Sequence, residues 1–365
     1  MTAAEAPSVA IIGLGFGRAH VPAFQAAGAR VIAVCQRDEA AAHKVATTYG
    51  VPHAYARWED LLAAQHPDIV VVATPPHLHR AIVGAAVSSG AHILCEKPLA
   101  TSREDAEGIV ADVARGRRVG MTGFNWRFTA AMQKMRALMA DGAVGRILHV
   151  RGHWLGARWA DEASPTTWRM DRQQAGHGAM GDMGVHLVDL VRWTCGGEFA
   201  RVAAHAGIAY PAKPVAGTTK PTDAEDFVSL VAELASGAQV SLVASRAAHG
   251  RNDHALEISG TRGALSYSLT REGSRWYGGT LSRASGGGGF TPVPVETSSV
   301  EGGDPMDVIG RATIAPLAAR LLTALRGDGP AEPSLQDGLR AQLILEAARD
   351  AAARRAWVDV PTLSA

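Results

Sequence analysis

A chain of 365 residues, 47% hydrophobic and 19% charged, holds more polypeptide than one ordinary core needs, and its composition excludes a disordered protein. A net charge of +1 offers no bulk attraction to nucleic acid or anionic lipid, and no apolar stretch is expected to approach the ~20 residues of a membrane span. Residues 1–8 carry Glu5 and no Lys or Arg, so no secretory leader is expected; Cys35, Cys95 and Cys195 form no CxxC pair, and the expected setting is cytoplasmic.

The first third alternates β-like runs with amphipathic stretches. Residues 9–12 read as a strand, 19–27 as a helix, 30–35 as a strand, 38–49 as a helix stopped by Gly50, and 58–65 as a further helix. Residues 69–73 are apolar on both faces, as a central parallel strand is; a helix over 78–88 then leads through Gly90 to the apolar run 91–95. This βαβ rhythm predicts an α/β fold with a Rossmann doubly wound parallel sheet over 1–124. Farther on, helices at 130–140 and 179–193 flank a long strand at 147–155. Strands then dominate, at 200–209, 227–234, 238–245, 256–259 and 264–269, with hairpin turns at Ser236-Gly237 and Thr261-Arg262-Gly263. The expectation is a second domain over 125–365, α+β with an open mixed, largely antiparallel sheet. It has a Gly-rich tip from Ser285 to Gly289 and a helix over 334–353 that packs back.

Between the first strand and helix lie Gly13, Gly15, Phe16 and Gly17. Glycines there let the backbone turn tightly and approach a pyrophosphate, and the helix amides that follow face its charge. The usual third-glycine position holds Arg18, with Gly17 one residue early. An acid about 20 residues on ordinarily holds the adenosine ribose. Gln36 takes that place and Arg37 follows, which tolerates NADP. Asp38 turned inward would favour NAD, so the cofactor is NAD or NADP.

Thr74, Pro75, Pro76 and His79 follow the central strand at the carboxyl edge of the sheet, where ligands of open α/β sheets sit. The prolines present a flat surface without amide hydrogens to a cofactor ring. Glu96 and Lys97 end the next strand on the same edge, where an ammonium adds positive potential for a developing alkoxide. Asp182 and His186 stand four apart on a predicted helix and share a face, with Asp189 close by. A histidine so placed takes a proton near neutral pH, and the carboxylate orients it. His153, His177, Asp182, His186 and Cys195 show no zinc spacing, so no metal is expected. Proton removal beside a nicotinamide is hydride-transfer chemistry; the reading requires the Lys97 ammonium and the His186 imidazole to converge.

Gly13-Leu14-Gly15 with His20, Thr74-Pro75-Pro76 with His79, the run from Cys95 to Ala100, the run from Gly178 to His186 with Asp189, and the run from Pro333 to Gly338 together resemble the Gfo/Idh/MocA family of NAD(P)-dependent sugar and inositol oxidoreductases. The resemblance implies that Lys97 hydrogen-bonds the reacting hydroxyl, that His186 is base in oxidation and acid in reduction, and that Asp182 holds a neighbouring hydroxyl. It implies a small-molecule carbohydrate substrate and pairing of the second domain's sheet into homodimers or homotetramers. Relatives also offer an alternative: a glycosidase that oxidises C3 transiently and eliminates the leaving group. Arg151, His153, Trp154, Arg158, Trp159, Trp168, Arg169 and Arg172 crowd the expected substrate side, joined by Asn125 and by His177 where many relatives carry glycine. Indole faces suit sugar rings and guanidinium forks suit carboxylate or sulfate, so the substrate set includes anionic sugars.

Overall fold

The computed structural model describes residues 6–272, 277–296 and 303–363; residues 1–5, on which the leader expectation partly rests, lie outside them. The chain divides into two units: Met1–Phe128 with Val300–Leu339, and Thr129–Ser299 with Arg340–Ala365.

In the first unit, β1 (Ser8–Ile12), β2 (Arg30–Cys35), β3 (His53–Tyr55), β4 (Ile69–Val72), β5 (His92–Cys95) and β6 (Gly120–Thr122) form one parallel sheet in the order β3-β2-β1-β4-β5-β6. β1 and β4 are buried at every residue, as strands covered on both faces must be. Sequence order reverses between β1 and β4, so their carboxyl ends form the crevice where doubly wound sheets bind ligands. The predicted helix over 19–27 opens as a tight 3₁₀ turn, Phe16–Ala19, before His20–Ala26 continues as α-helix.

Two expectations need correcting here. The second domain does not run unbroken from 125 to 365. The boundary falls after Phe128, and Val300–Leu339 returns to the first unit. The physical reason is a stripe on Ala315–Leu325: Leu317, Ala318, Leu321 and Leu322 pack in one cluster with Val21, Phe24 and Val31. The same region corrects the membrane expectation. Pro305–Leu325, 21 residues, is long and apolar enough to span a bilayer by those measures alone. Its apolar stripe instead completes the core behind the first helix.

In the second unit, β7 (Ile147–Gly156) and β8 (Phe199–Gly207) precede a small hairpin of β9 (Ala212–Val215) and β10 (Thr218–Pro221). β11 (Phe227–Leu234), β12 (Gln239–Ser245), β13 (Asn252–Gly260), β14 (Gly263–Thr270), β15 (Thr280–Ser285), β16 (Thr291–Val293) and β17 (Val358–Asp359) follow. Nine of these strands make one sheet in the order β16-β15-β14-β13-β7-β12-β11-β8-β17, antiparallel throughout except for the parallel pair β7–β12. Ala130–Ala140 and Val185–Cys195 lie against one face of it. On the other face, cross-strand partners Val231, Ser241, Arg151 and Glu257 form one row, and Ser229, Val243 and His153 the next.

Candidate active site

β1 delivers the chain to Gly13 at φ +94°. A Cβ there would stand 2.5 Å from the Ala73 carbonyl, so the ends of β1 and β4 meet backbone to backbone and only glycine fits. At Gly17 a Cβ would press 2.7 Å from the Ala73 Cβ. The close helix-to-strand packing that usually falls to a third glycine is thus performed by Gly17, one residue early, because the helix begins with a 3₁₀ turn. At Gly15 a Cβ would meet nothing within 4 Å: the loop presents bare backbone to open space. The buried Thr74 hydroxyl across the crevice lacks a hydrogen-bond partner. A tight turn, open backbone, a following helix and an unsatisfied hydroxyl fit a dinucleotide. Asp38 does not swing toward the ribose position. Its carboxylate caps the helix Glu39–Tyr49, accepting from the Ala41 amide at 3.0 Å, which leaves Gln36 and exposed Arg37 there.

Glu96 and His79, both expected to meet the cofactor, are each held by protein groups. The Glu96 carboxylate is 2.8 Å from His20 Nε2 and also accepts the Lys97 amide at 3.2 Å. A Cβ on Gly123 would sit 2.7 Å from the same carboxylate, so that glycine makes its room. Together these groups fix the turn that carries Lys97. His79 is fully buried between the carbonyls of Thr74 (2.9 Å from Nε2) and Leu99 (3.1 Å from Nδ1). Burial keeps its pKa below the usual range, so the ring is neutral and its single N–H serves one of these two carbonyls. Asn125 is likewise internal, donating to the Thr313 hydroxyl at 2.7 Å. Burial pushes the Cys35 and Cys195 thiols up to about 12, so neither offers a thiolate.

In the second unit, the predicted helix over 179–193 divides. Met180–Gly184 forms a π-helical turn in which the Val185 amide donates to the Met180 carbonyl, and Val185–Cys195 continues as α-helix. Asp182 therefore sits within a widened turn and His186 just after it, in place of a shared regular α-helical face. Gly184 permits the widening, since a Cβ there would meet Met180 Sδ at 2.5 Å. The His186 ring, 4% exposed, stacks on Trp154 at 5.1 Å and 21°. Trp154 stacks in turn on His254 at 4.0 Å and 9°, and His254 Nε2 lies 2.9 Å from the Tyr267 hydroxyl. Burial holds His254 far below its usual pKa, so this end of the column stays neutral. The Arg271 guanidinium sits 4.9 Å from the Trp154 ring, its pKa pulled down to about 10 by burial and partly restored by attraction to Asp182.

Arg169, Trp168, Trp159 and Arg158 do come together with Asp182. Arg169 Nε donates to Asp182 at 3.3 Å, and its guanidinium lies 4.3 Å from the Trp168 ring and 5.8 Å from Trp159. Arg158 covers Trp159 at 4.9 Å. Arg151 does not join them. Strand alternation puts Arg151 on the sheet face opposite Trp154, where it pairs with Glu257 at 3.8 Å, so its expected substrate role is corrected. His153 shares that outer face, 2.7 Å from Asp253. His177 is placed otherwise than expected as well. It is 4% exposed, with Nε2 buried and unpartnered, and burial plus the Arg349 and Arg172 cations hold its pKa at about 3. It is a neutral interior ring. Among the described residues no three His, Cys, Asp or Glu side chains gather to hold a metal.

Sequence reasoning missed His254, Arg271 and Lys213. His254 and Lys213 each occupy an inward position on a strand, a signal that period-two alternation carries. Their partners lie up to 100 residues away in sequence, and no local pattern names them.

Comparison with known proteins agrees with this geometry. Residues 8–124 match the oxidoreductase family model with an NAD-binding Rossmann fold, and 132–266 match the GFO/IDH/MocA C-terminal domain. Levoglucosan dehydrogenase of Pseudarthrobacter phenanthrenivorans is 31% identical, over 98% of this chain and 99% of its own. Inositol 2-dehydrogenase 1 of Saccharopolyspora erythraea is 32% identical, over 72% of this chain and 74% of its own. Among solved structures, levoglucosan dehydrogenase in complex with NADH and L-sorbose superposes with a TM-score of 0.88 at 31% identity, covering 98% of this chain and all (100%) of that one. An oxidoreductase domain protein from Kribbella flavida gives the same TM-score, 0.88, at 28% identity over 98% of this chain and 100% of its own.

Proposed function

Since this chain belongs to the Gfo/Idh/MocA family of NAD-dependent oxidoreductases, we propose that it oxidises or reduces one ring carbon of a sugar, inositol or related cyclic polyol. The observation that carries the reading is the glycine cradle at Gly13, Gly15 and Gly17, in a chain that also keeps Lys97, Asp182 and His186. A bound nicotinamide supplies the hydride acceptor or donor. Lys97 hydrogen-bonds the reacting hydroxyl and stabilises the charge that builds on its oxygen. His186 takes the hydroxyl proton during oxidation and returns it during reduction. Asp182, already accepting from Arg169, orients a neighbouring hydroxyl. Trp168 gives the sugar ring an apolar face, and Arg158 offers a fork to a carboxylate or sulfate substituent, which keeps anionic sugars in the proposed set.

We also propose self-association through the open sheet face, where Val231 and Val243 are exposed beside Ser241 and Ser229. A homodimer or homotetramer is the form that face supports. A reducing, cytoplasmic setting suits the three free thiols.

The test is steady-state turnover. Incubation with NAD or NADP and a panel of levoglucosan, myo-inositol and uronates is expected to accumulate reduced cofactor. Release of an aglycone with no net reduction would favour the transient-oxidation glycosidase instead. Lys97→Ala and His186→Ala are each expected to lose about 10²–10⁴-fold in kcat while NADH fluorescence still reports binding. Near-normal rates in both variants would refute the assignment.

A further inference from the structure

Lys213 on β9 is fully buried, yet among the described residues its ammonium donates to carbonyls and a hydroxyl and to no carboxylate. Its Nζ donates to the Trp159 carbonyl at 2.9 Å, to the Ser164 hydroxyl at 2.8 Å and, at short range, to the Asp161 carbonyl. The Tyr210 ring closes the fourth side at 4.1 Å. All three acceptors belong to the segment 157–167, which has neither helix nor strand of its own. A second buried cation grips the 3₁₀ turn that follows: Arg246 Nη1 donates to the Arg169 carbonyl at 2.8 Å. The rest of its fork goes to Asp226 at 2.8 Å and to the Ala224 carbonyl at 3.0 Å. The Thr166 amide adds a bond to the Pro214 carbonyl at 2.9 Å, beside Lys213.

Arg158 and Trp159 ride on this stretch, and Trp168 and Arg169 on the 3₁₀ turn Trp168–Met170 that follows it. An irregular run of that length would ordinarily sample many conformations, and ordering it on ligand binding would cost affinity. A buried ammonium removes that freedom effectively. It is satisfied only while three loop oxygens stay in place, and leaving them strands a desolvated charge. Burial lowers the Lys213 pKa, while the nearby Asp226 and Asp161 carboxylates oppose the shift. We propose that Lys213, seconded by Arg246, is a positioning residue that sets the 157–171 segment in its sugar-receiving form before any ligand arrives. This rests on the reading above that the segment faces the substrate, and it adds which groups make that surface rigid.

The experiment compares Lys213→Met, Ser164→Ala and Trp168→Ala in the full chain. Hydrogen exchange of the intact protein is the first readout. Lys213→Met is expected to speed exchange of amides in 157–167 by about tenfold or more, and Ser164→Ala by less, with peptides of the Gly13 loop unchanged. Unchanged exchange at 157–167 in Lys213→Met overturns the proposal. If Lys213→Met fails to fold, Ser164→Ala carries the same test with its smaller shift. The second readout is KM for whichever of levoglucosan, myo-inositol and 1,5-anhydro-D-fructose turns over. Lys213→Met is expected to raise KM about tenfold, by a larger factor than it lowers kcat, with NADH affinity retained. A raised KM in Trp168→Ala without one in Lys213→Met defeats the positioning role alone. An unmoved KM in Trp168→Ala defeats the substrate-facing reading beneath it.

Discussion

Replacing Trp154 by leucine removes the middle ring of the His186–Trp154–His254 column. The indole is 2% exposed and takes part in two stacked ring pairs, at 5.1 Å and 4.0 Å, with the Arg271 guanidinium 4.9 Å away. Aromatic pairs contribute about 0.5–1.5 kcal/mol each beyond burial, and a desolvated cation over a ring about 1–2 kcal/mol. Leucine restores part of the apolar volume but none of these terms, so Trp154→Leu is expected to cost about 3 kcal/mol in urea unfolding. The catalytic loss has a separate origin. With no ring to lie against, the His186 imidazole loses its fixed plane, and misplacement of a base by even a fraction of an ångström should lower kcat/KM about tenfold to a hundredfold. Trp154→Phe keeps a flat partner and should recover most of both losses. A Trp154→Leu protein that is fully folded at assay temperature and keeps kcat/KM within about twofold of the parent would refute the claim that this ring positions His186.

Three further outcomes are expected. His177 binds no proton in the fold until about pH 3 but does so near pH 6.5 once unfolded, so stability falls as pH drops through that window. His177→Gln should flatten the fall, narrowing the gap between unfolding free energies at pH 8 and pH 5 by about 2 kcal/mol, and an unaltered pH profile would contradict a neutral interior ring. Gln36→Asp should weaken NADPH binding relative to NADH by about tenfold in fluorescence titration, because a carboxylate there repels a 2′-phosphate; equal effects on both would show that position 36 does not meet the ribose. Val231→Arg, opposite Ser241 on the open sheet face, should lower the sedimentation mass to that of a smaller assembly, and an unchanged mass would place the interface elsewhere.

Much of the first unit was legible because its information is local. A βαβ rhythm fixes a parallel sheet, and strand ends then put Gly13, Thr74 and Lys97 on one edge whatever else the chain does. The second unit yielded its sheet but not its pairings. Strand alternation alone separates Trp154 from Arg151 and His153, so reading the Arg and Trp cluster with period two would have kept Arg151 off the substrate side. The π turn was hidden because Met180–Gly184 has the composition of an ordinary glycine-rich helix start, and only the crowding of Met180 against Gly184 exposes it. The apolar stripe of Ala315–Leu325 announced a core-facing helix but not which core. A hydrophobic pattern specifies that a face must be covered and leaves the covering partner to tertiary structure.

The return of Val300–Leu339 has a practical corollary. The nucleotide module is not a contiguous piece of polypeptide, and a fragment ended at Phe128 would bare the wall that Leu317 and Leu321 close. Anyone grafting this module onto another protein must carry the distal stretch along, or supply it in trans as a separate peptide. The two modules interleave along the chain, each built from two separate stretches.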